Sequence, residues 1–256
     1  MLKLASWNVN SLKIRLEQVL NWLGAANIDI LAMQETKLVD EQFPSNIFSE
    51  LGYHSVFKGQ KSYNGIALVS RHPIEDVVKE IPNFNDPQCR LLAATIAGVR
   101  VINLYVPNGS EPSSDKYQYK LQWLEKTLDF IKDQQRHYSK IAVVGDFNIA
   151  PEDRDVHDPA EWQNCVMVSP AERQAFADLL SLGFADSFRN FLQPEKLFSW
   201  WDYRAAAFRR NRGLRIDHIL LSEELNSLCI SSQIDKEPRK WERPSDHAPV
   251  WIELNH

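Results

Sequence analysis

Residues 141–151 read IAVVGDFNIAP. Ile141, Ala142, Val143 and Val144 make a short, largely β-branched apolar run, the pattern of a strand buried on both faces in a parallel sheet. Gly145 closes the run, and Asp146 and Asn148 follow two residues apart. In extended chain that spacing turns both polar side chains to one face and Phe147 to the other. Pro151 ends the segment. Open α/β sheets bind ligands outside the carboxyl ends of such strands. Taken alone, such an Asp and Asn are more often ordinary turn residues. The rest of the chain decides between these readings.

Working outward, Leu2 to Trp7 alternates and ends at Asn8 and Asn10. Leu12, Leu16, Val19, Leu20 and Leu23 then recur at helical spacing, with Ser11 as the expected cap. Residues 28–33 (IDILAM) read as another buried strand, running into Gln34, Glu35 and Thr36. A helix near 43–51, strands near 53–56 and 66–70, and a hairpin of 91–96 with 99–106 through Gly98 follow. Tyr117, Leu121, Leu124, Leu128 and Ile131 mark a long amphipathic helix just ahead of the central strand. After it, Ser169-Pro170-Ala171-Glu172 matches a capping box with Pro at the first helical position. Strands are expected at 216–221, 228–234 and 249–254. No repeat, low-complexity tract or linker intervenes, so residues 1–256 are expected to form a single α/β domain with mixed sheets.

The 256 residues carry a net charge of −5, which excludes a uniformly basic nucleic-acid coat but not a local patch. Cys89, Cys165 and Cys229 are too few and too scattered for a disulfide framework or a zinc site. The opening MLKLASWNVN lacks the apolar core of a signal peptide, and no run approaches membrane-spanning length. These features lead us to expect a soluble cytoplasmic protein.

Chemistry collects at the strand ends. Asn8 and Asn10, Glu35, Tyr105 and Asn108, Asp146 and Asn148, Asp217, then Asp246 and His247 each follow or open an apolar run. On one rim they would make a site of hard oxygen donors, suited to Mg²⁺ or Mn²⁺ rather than zinc. Crowded carboxylates without a metal would raise one another's pKa. Pro244 and Pro249 restrict the chain around Asp246-His247. In Arg215-Ile216-Asp217-His218 alternation puts Arg215 and Asp217 on one face and His218, read as structural, on the other. Asp217 is then the preferred partner for His247, fixing its tautomer and favouring its cationic form. Arg204, Arg209, Arg210, Arg212 and Arg215 follow Asp202 without another acid, interleaved with Tyr203 and Phe208 and preceded by Trp200 and Trp201. Arginine forks and aromatic faces suit a phosphate backbone and bases. A solvated arginine loop is the plainer alternative.

WNVNSL, LAMQETK, GQKSYNG, NLYVPNG, GDFNIAP, FSWWDYR, NRGLRIDHIL and RPSDHAPVW run almost end to end. Together they resemble the exodeoxyribonuclease III and apurinic/apyrimidinic endonuclease family of the endonuclease/exonuclease/phosphatase superfamily. The resemblance implies a four-layer α/β sandwich, two mixed β-sheets packed face to face and flanked by helices. It implies one or two Mg²⁺ ions (Mn²⁺ as substitute) at Glu35 with Asn8, Asp246 and the Asp146–Asn148 pair. Asp146 would position or deprotonate the attacking water, and Asn148 and Tyr105 would hold the phosphate. His247, braced by Asp217, would stabilise developing charge, with the choice of base between Asp146 and His247 left open. Asn108, Arg209, Arg210 and Arg212 would hold the backbone, while Trp200, Leu214 and Ile216 would line a pocket for a sugar without its base.

Two departures stand out. Asn10 occupies a position where some relatives carry Asp, and residues 165–168, with Met167, match weakly beside the expected pocket. The implied partner is duplex DNA with abasic sites or damaged 3′ ends, cut by a monomer without membrane contact. The implied activities are hydrolysis 5′ to abasic sites, removal of 3′-blocking groups and 3′–5′ exonuclease action on duplex DNA. Two alternatives are a lipid or inositol-phosphate phosphodiesterase of the same superfamily, and a catalytically silent nucleic-acid-binding module. The first would not need the arginine–aromatic stretch. The second would have lost carboxylates, and none is missing.

Overall fold

The structure, a computed structural model, describes residues 1–255. β1 (Leu2–Asn8) leads through α1 (Leu12–Ala26) to β2 (Ile30–Gln34), laid parallel to β1. The same move recurs from β7 (Val99–Tyr105) through α3 (Asp115–Gln134) to β8 (Ile141–Asp146). Parallel neighbours need a long crossover, and the two amphipathic helices supply it. All other pairings within the two sheets are antiparallel. One sheet adds β11 (Cys229–Ile234), β12 (Val250–Leu254), β4 (Ile66–Ser70) and β3 (His54–Lys58), in the order β11-β12-β1-β2-β4-β3. The other adds β5 (Ile74–Val78), β6 (Leu91–Ile96), β10 (Asp217–Ser222) and β9 (Phe184–Asp186), in the order β5-β6-β7-β8-β10-β9. Each sheet therefore has one parallel pair at its centre with antiparallel strands on both sides.

Three apolar layers hold these elements. Leu4, Ile30, Ala32, Ile66 and Leu68 of the first sheet pack against Leu92, Ala94, Val101, Ala142 and Val144 of the second. Trp7, Leu31 and Val69 face outward to Leu12, Val19 and Leu23 of α1 and Phe48 of α2 (Ser45–Glu50). On the other outer face Ile102, Val143 and Leu220 meet Trp123, Leu124 and Ile131 of α3, with Phe176 and Leu179 of α4 (Pro170–Ser181). This is a four-layer α/β sandwich, as expected. A buried polar bridge crosses the inner layer. Gln34 Nε2 donates to Asn103 Oδ1 at 2.7 Å and Asn103 Nδ2 donates to the carbonyls of Met33 and Ala67. Each such bond is worth about 1 kcal/mol net, and leaving one partner alone costs more.

Local expectations divide. The Ser169–Glu172 capping box forms at the start of α4. Ser11 does not cap α1: it sits at φ +89° and its side chain makes no capping bond. Backbone bonds from Ser11 and Leu12 to the carbonyls of Glu35 and Thr36 hold that end instead, tying the helix to the exit of β2. The edge strands β5 and β9 are too short and irregular to show a period. No helix among the described residues is long and apolar enough to cross a membrane.

The topology gathers the polar strand ends. β1, β2, β7 and β8 point their carboxyl ends to one rim, and the antiparallel β10 and β12 start there. Tyr105 pairs with Asp146 in register, and Asp146 with Asp217.

Candidate active site

At that rim the Asn8 amide joins the two sheets. Its Nδ2 donates to Glu35 Oε1 at 3.1 Å and to Asp146 Oδ2 at 2.9 Å. Tyr105 donates its hydroxyl to the same Glu35 Oε1 at 2.6 Å, and Lys37 Nζ lies 2.8 Å from Oε2. Asp146, almost fully buried, also accepts from the Asn148 backbone N–H at 2.9 Å. His247 Nδ1 donates to Asp217 Oδ2 at 2.9 Å, and His247 Nε2 lies 3.7 Å from Asp146 Oδ2. Ser199 Oγ accepts from the Asp217 N–H, and Ser245 Oγ from the His247 N–H. Glu35, Asn8, Asp146, His247 and Asp217 thus form one unbroken chain of polar contacts.

Asn148 is not in extended chain. At φ +50° it occupies the left-handed region that Asn tolerates better than most residues, and Glu35 (φ +53°), Lys37 and Asn10 share it. Such strained residues cluster where a structure fixes side chains for use. The turn sends the Asn148 amide to Asn108, whose Nδ2 donates to Asn148 Oδ1 at 3.2 Å, and to the Val106 carbonyl. Phe147 points the other way, against Phe176 and His218.

Burial sets the protonation of this cluster. It pushes Asp146 up to about 7, with nearby Asp217 adding to the rise against the opposing pull of His247. For His247 burial opposes the charge, but Asp217 and Asp146 outweigh it and raise the imidazole to about 10. His247 is therefore cationic at neutral pH, as expected from its Asp217 brace. Burial also opposes ionisation of Glu35, yet Lys37, Tyr105 and Asn8 together hold it below its ordinary range. Tyr105 is driven well above its usual value by burial and by Glu35, so it stays a neutral donor. His218 lies outside this chain of contacts. Burial and Arg215 lower it to about 4, its Nδ1 accepts from Arg215, and its Nε2 donates to the Ile149 carbonyl.

The donor set suits a hard cation. Asp146 and Asp217 bring carboxylate oxygens within 4.8 Å of each other beside His247, whose protonated ring is not itself a ligand, and Glu35 stands beyond the Asn8 bridge. Burial, with the nearby Asp217 carboxylate adding to it, disfavours the charge on Asp146, and a divalent ion would offset that penalty. Asp246 joins the site through Asn10, whose Oδ1 accepts from Lys37 Nζ at 2.5 Å. Asp246 Oδ1 accepts from Asn10 Nδ2 at 2.8 Å and its Oδ2 from Trp200 Nε1 at 3.0 Å. Asn10 makes that bond because it is an amide; a carboxylate there could not donate.

The structure corrects three further expectations. Arg215 does not share Asp217's surroundings: it is buried between Asp155, Asp186 and His218. The arginine stretch is not free of balancing acid, since Arg212 Nη2 pairs with both Glu161 oxygens at 2.5 Å. Only the exposed Arg209 and Arg210 keep side chains without a partner among the described residues. Leu214 and Ile216 do not line an open pocket. They are sealed with Met167, Val168 and Ala150 in one apolar cluster, and half-buried Trp200 packs on its outside together with Trp162, Cys165 and Val166. Trp200 bridges to Leu214 and to His247, so this cluster abuts the polar chain. Lys37, Ser199 and Ser245 went unread as site residues, although LAMQETK, FSWWDYR and RPSDHAPVW each carry one.

Comparison with known proteins agrees with this geometry. The profile of the Endonuclease/Exonuclease/phosphatase family matches residues 5–247. Exodeoxyribonuclease III of Haemophilus influenzae is 35% identical over 267 aligned positions, covering 99% of this chain and all of that one. The 3′ phosphatase NExo from Neisseria, solved bound to a product DNA hairpin, superposes with a TM-score of 0.98 at 45% identity, with both chains fully covered. An AP endonuclease from Archaeoglobus fulgidus follows at 0.95 and 41%, again over the full length of both. With the fold, the rim and these likenesses in agreement, the chain belongs to the endonuclease/exonuclease/phosphatase family.

Proposed function

We propose that this protein is a Mg²⁺-dependent DNA-repair phosphodiesterase that acts on duplex DNA at damaged 3′ ends and at abasic sites. Mn²⁺ would serve as a substitute. The observation that carries the reading is the unbroken polar chain from Glu35 through Asn8 and Asp146 to His247 and Asp217. In this reading Asp146 receives a proton from water, and the resulting hydroxide attacks phosphorus in line. The bond to the 3′ oxygen breaks, and that oxygen takes up a proton, returned from Asp146 through solvent, to leave a free 3′-hydroxyl. Asn148 and Asn108 hold the phosphoryl oxygens, joined by neutral Tyr105 once its hydroxyl turns from Glu35 to the substrate, and cationic His247 offsets charge as it develops. Glu35, Asp146 and the Asn8 and Asn148 amides are the groups that would hold one or two ions. A bound divalent ion there would polarise the phosphate and stabilise the leaving oxygen. The sealed Met167–Leu214–Ile216 cluster must open to admit an abasic sugar, which favours 3′-end processing over cleavage at internal sites. We further propose that the chain works as a single domain, as a monomer, in the cytoplasm.

A substrate panel tests this: a nick with a 3′-phosphate, an abasic duplex, a recessed 3′ end and an inositol-phosphate ester, each with Mg²⁺ or with chelator. The expected result is metal-dependent release at the 3′-phosphate fastest, the abasic duplex next, and no turnover of the inositol phosphate. Preference for the inositol ester would replace the reading with the lipid-type one.

Contact with the DNA backbone gives a second expectation. Each phosphate neutralised contributes about −0.9 to the slope of log affinity against log salt. Changing Arg209 and Arg210 together to Ala should therefore flatten that slope by about 2. Arg212→Ala should change it less, because Glu161 already holds that guanidinium. A slope unaltered in the double variant would remove these residues from the interface.

A further inference from the structure

The two amides assigned to the phosphate share a hidden support. Lys120, in the second turn of α3, is wholly buried, and its ammonium has three partners. Nζ donates to the Asn148 carbonyl at 2.7 Å, to the Asn108 carbonyl at 3.2 Å and to Glu172 Oε1 at 2.5 Å. Glu172, equally buried, in turn accepts from the backbone N–H groups of Met167 and Ser169. One buried pair thus ties the turn carrying Asn108, the turn carrying Asn148 and the segment carrying Met167 to helices α3 and α4. The packing is close: a Cβ added at Gly109 would stand 3.2 Å from Lys120 Cδ.

A buried ion pair is a poor device for stability, since well-packed apolar residues of similar size are often as good or better. A three-proton donor is, however, suited to fixing two carbonyls and a carboxylate at once. Asn148 needs such help. Its left-handed backbone leaves the sheet ladder, so its carbonyl finds its partner in Lys120.

We propose that Lys120 is a positioning residue, holding the Asn108 and Asn148 amides at the spacing the phosphate requires, with Glu172 as its anchor. The inference rests on the proposed role of Asn148 as a phosphate-holding residue. Lys120 touches no substrate; it acts through the two turns.

The test separates fold from placement. Glu172→Gln is combined with Lys120→Met or with Lys120→Gln, a pair of nearly equal length of which only Gln donates hydrogen bonds. Neither leaves a buried charge unpaired. Tm, kcat and KM are measured on the 3′-phosphate nick with Mg²⁺, with Asn148→Ala alongside. Misplacing a positioned group by about 1 Å costs about 100-fold in rate. We expect the Met variant to lose about that much kcat, with KM within about threefold of wild type, and the Gln variant to recover about tenfold of the loss, staying about tenfold below wild type, at similar Tm. Wild-type kcat in the Met variant, or equal loss in both, would overturn the inference. If the Met variant fails to fold, the Gln variant decides by itself. A kcat lowered about tenfold at near-normal KM supports the clamp, because Gln is one atom shorter than Lys, and wild-type kcat ends it. Wild-type activity in Asn148→Ala would instead mean that the role of Asn148 is wrong. An impaired Asn148→Ala beside fully active Lys120 variants would remove this inference alone.

Discussion

Replacing Asp146 with Asn should lower single-turnover cleavage by about 10³- to 10⁴-fold while DNA affinity changes by less than about threefold. Asn keeps the size of the side chain but cannot take a proton at neutral pH, and general-base action accounts for about 10²- to 10⁴-fold by itself. The substitution also sets an NH₂ group against a donor, because Asn8 Nδ2 and the Asn148 N–H both point at Asp146 oxygens. Binding should survive, since the exposed arginines and the Asn108 amide are untouched. Affinity lost in proportion to rate would assign Asp146 to binding instead. A pH profile adds an independent check. Burial raises this carboxyl, so without metal it keeps its proton to higher pH than an exposed Asp, and a bound divalent ion would draw the value back down. Wild-type cleavage should therefore fall on the acid side, with the fall moving to lower pH as the Mg²⁺ concentration rises.

The second large effect concerns Glu35. Glu35→Ala should raise the Mg²⁺ concentration for half-maximal turnover by at least about tenfold and lower saturated kcat by about 100-fold, as losses around metal sites commonly do. Tyr105, Asn8 and Lys37 converge on this carboxylate and hold it ionised, an arrangement that prepares a ligand. Lys37 is partly exposed and can swing to solvent once its partner is gone, so Tm should move little. Calorimetric titration with Mg²⁺ reads the affinity directly, without turnover. An unchanged titration would exclude Glu35 as a ligand.

How much of this was legible beforehand depended on whether the signal was local. The run 141–144 announced its strand, and Ser169 with Glu172 announced its helix start, because period and cap lie within a few residues. The Asp217–His247 brace was readable from strand alternation and the chemistry of the pair. Arg215 misled for the opposite reason: it lies just outside β10, where alternation no longer applies, and its partners Asp155 and Asp186 stand 60 and 29 positions away. Arg212 misled likewise, since Glu161 neutralises it from 51 positions upstream. The four-layer architecture came through resemblance rather than period. Strand patterns name strands, but the order in which sheets assemble is a long-range property. Lys120 stands three residues after Tyr117 and four before Leu124, on the apolar face of α3, but nothing near it in sequence announces Glu172, the acid 52 positions away that lets a lysine stay buried there.

The Gln34–Asn103 bridge has a consequence for how the molecule tolerates change. Glu35 hangs from one slab and Asp146 from the other, so the working distance is measured across the gap between them. Asn103 reaches over that gap to two separate carbonyls, which fixes the slabs against sliding in the plane as well as parting. Strands repeat about every 4.8 Å, so slippage by one row would carry the two acids out of each other's reach while leaving an oily interior intact. Apolar filling alone would permit that alternative; the amides forbid it. Damage to this pin would cost stability through the buried polar groups it strands and turnover through the shifted acids.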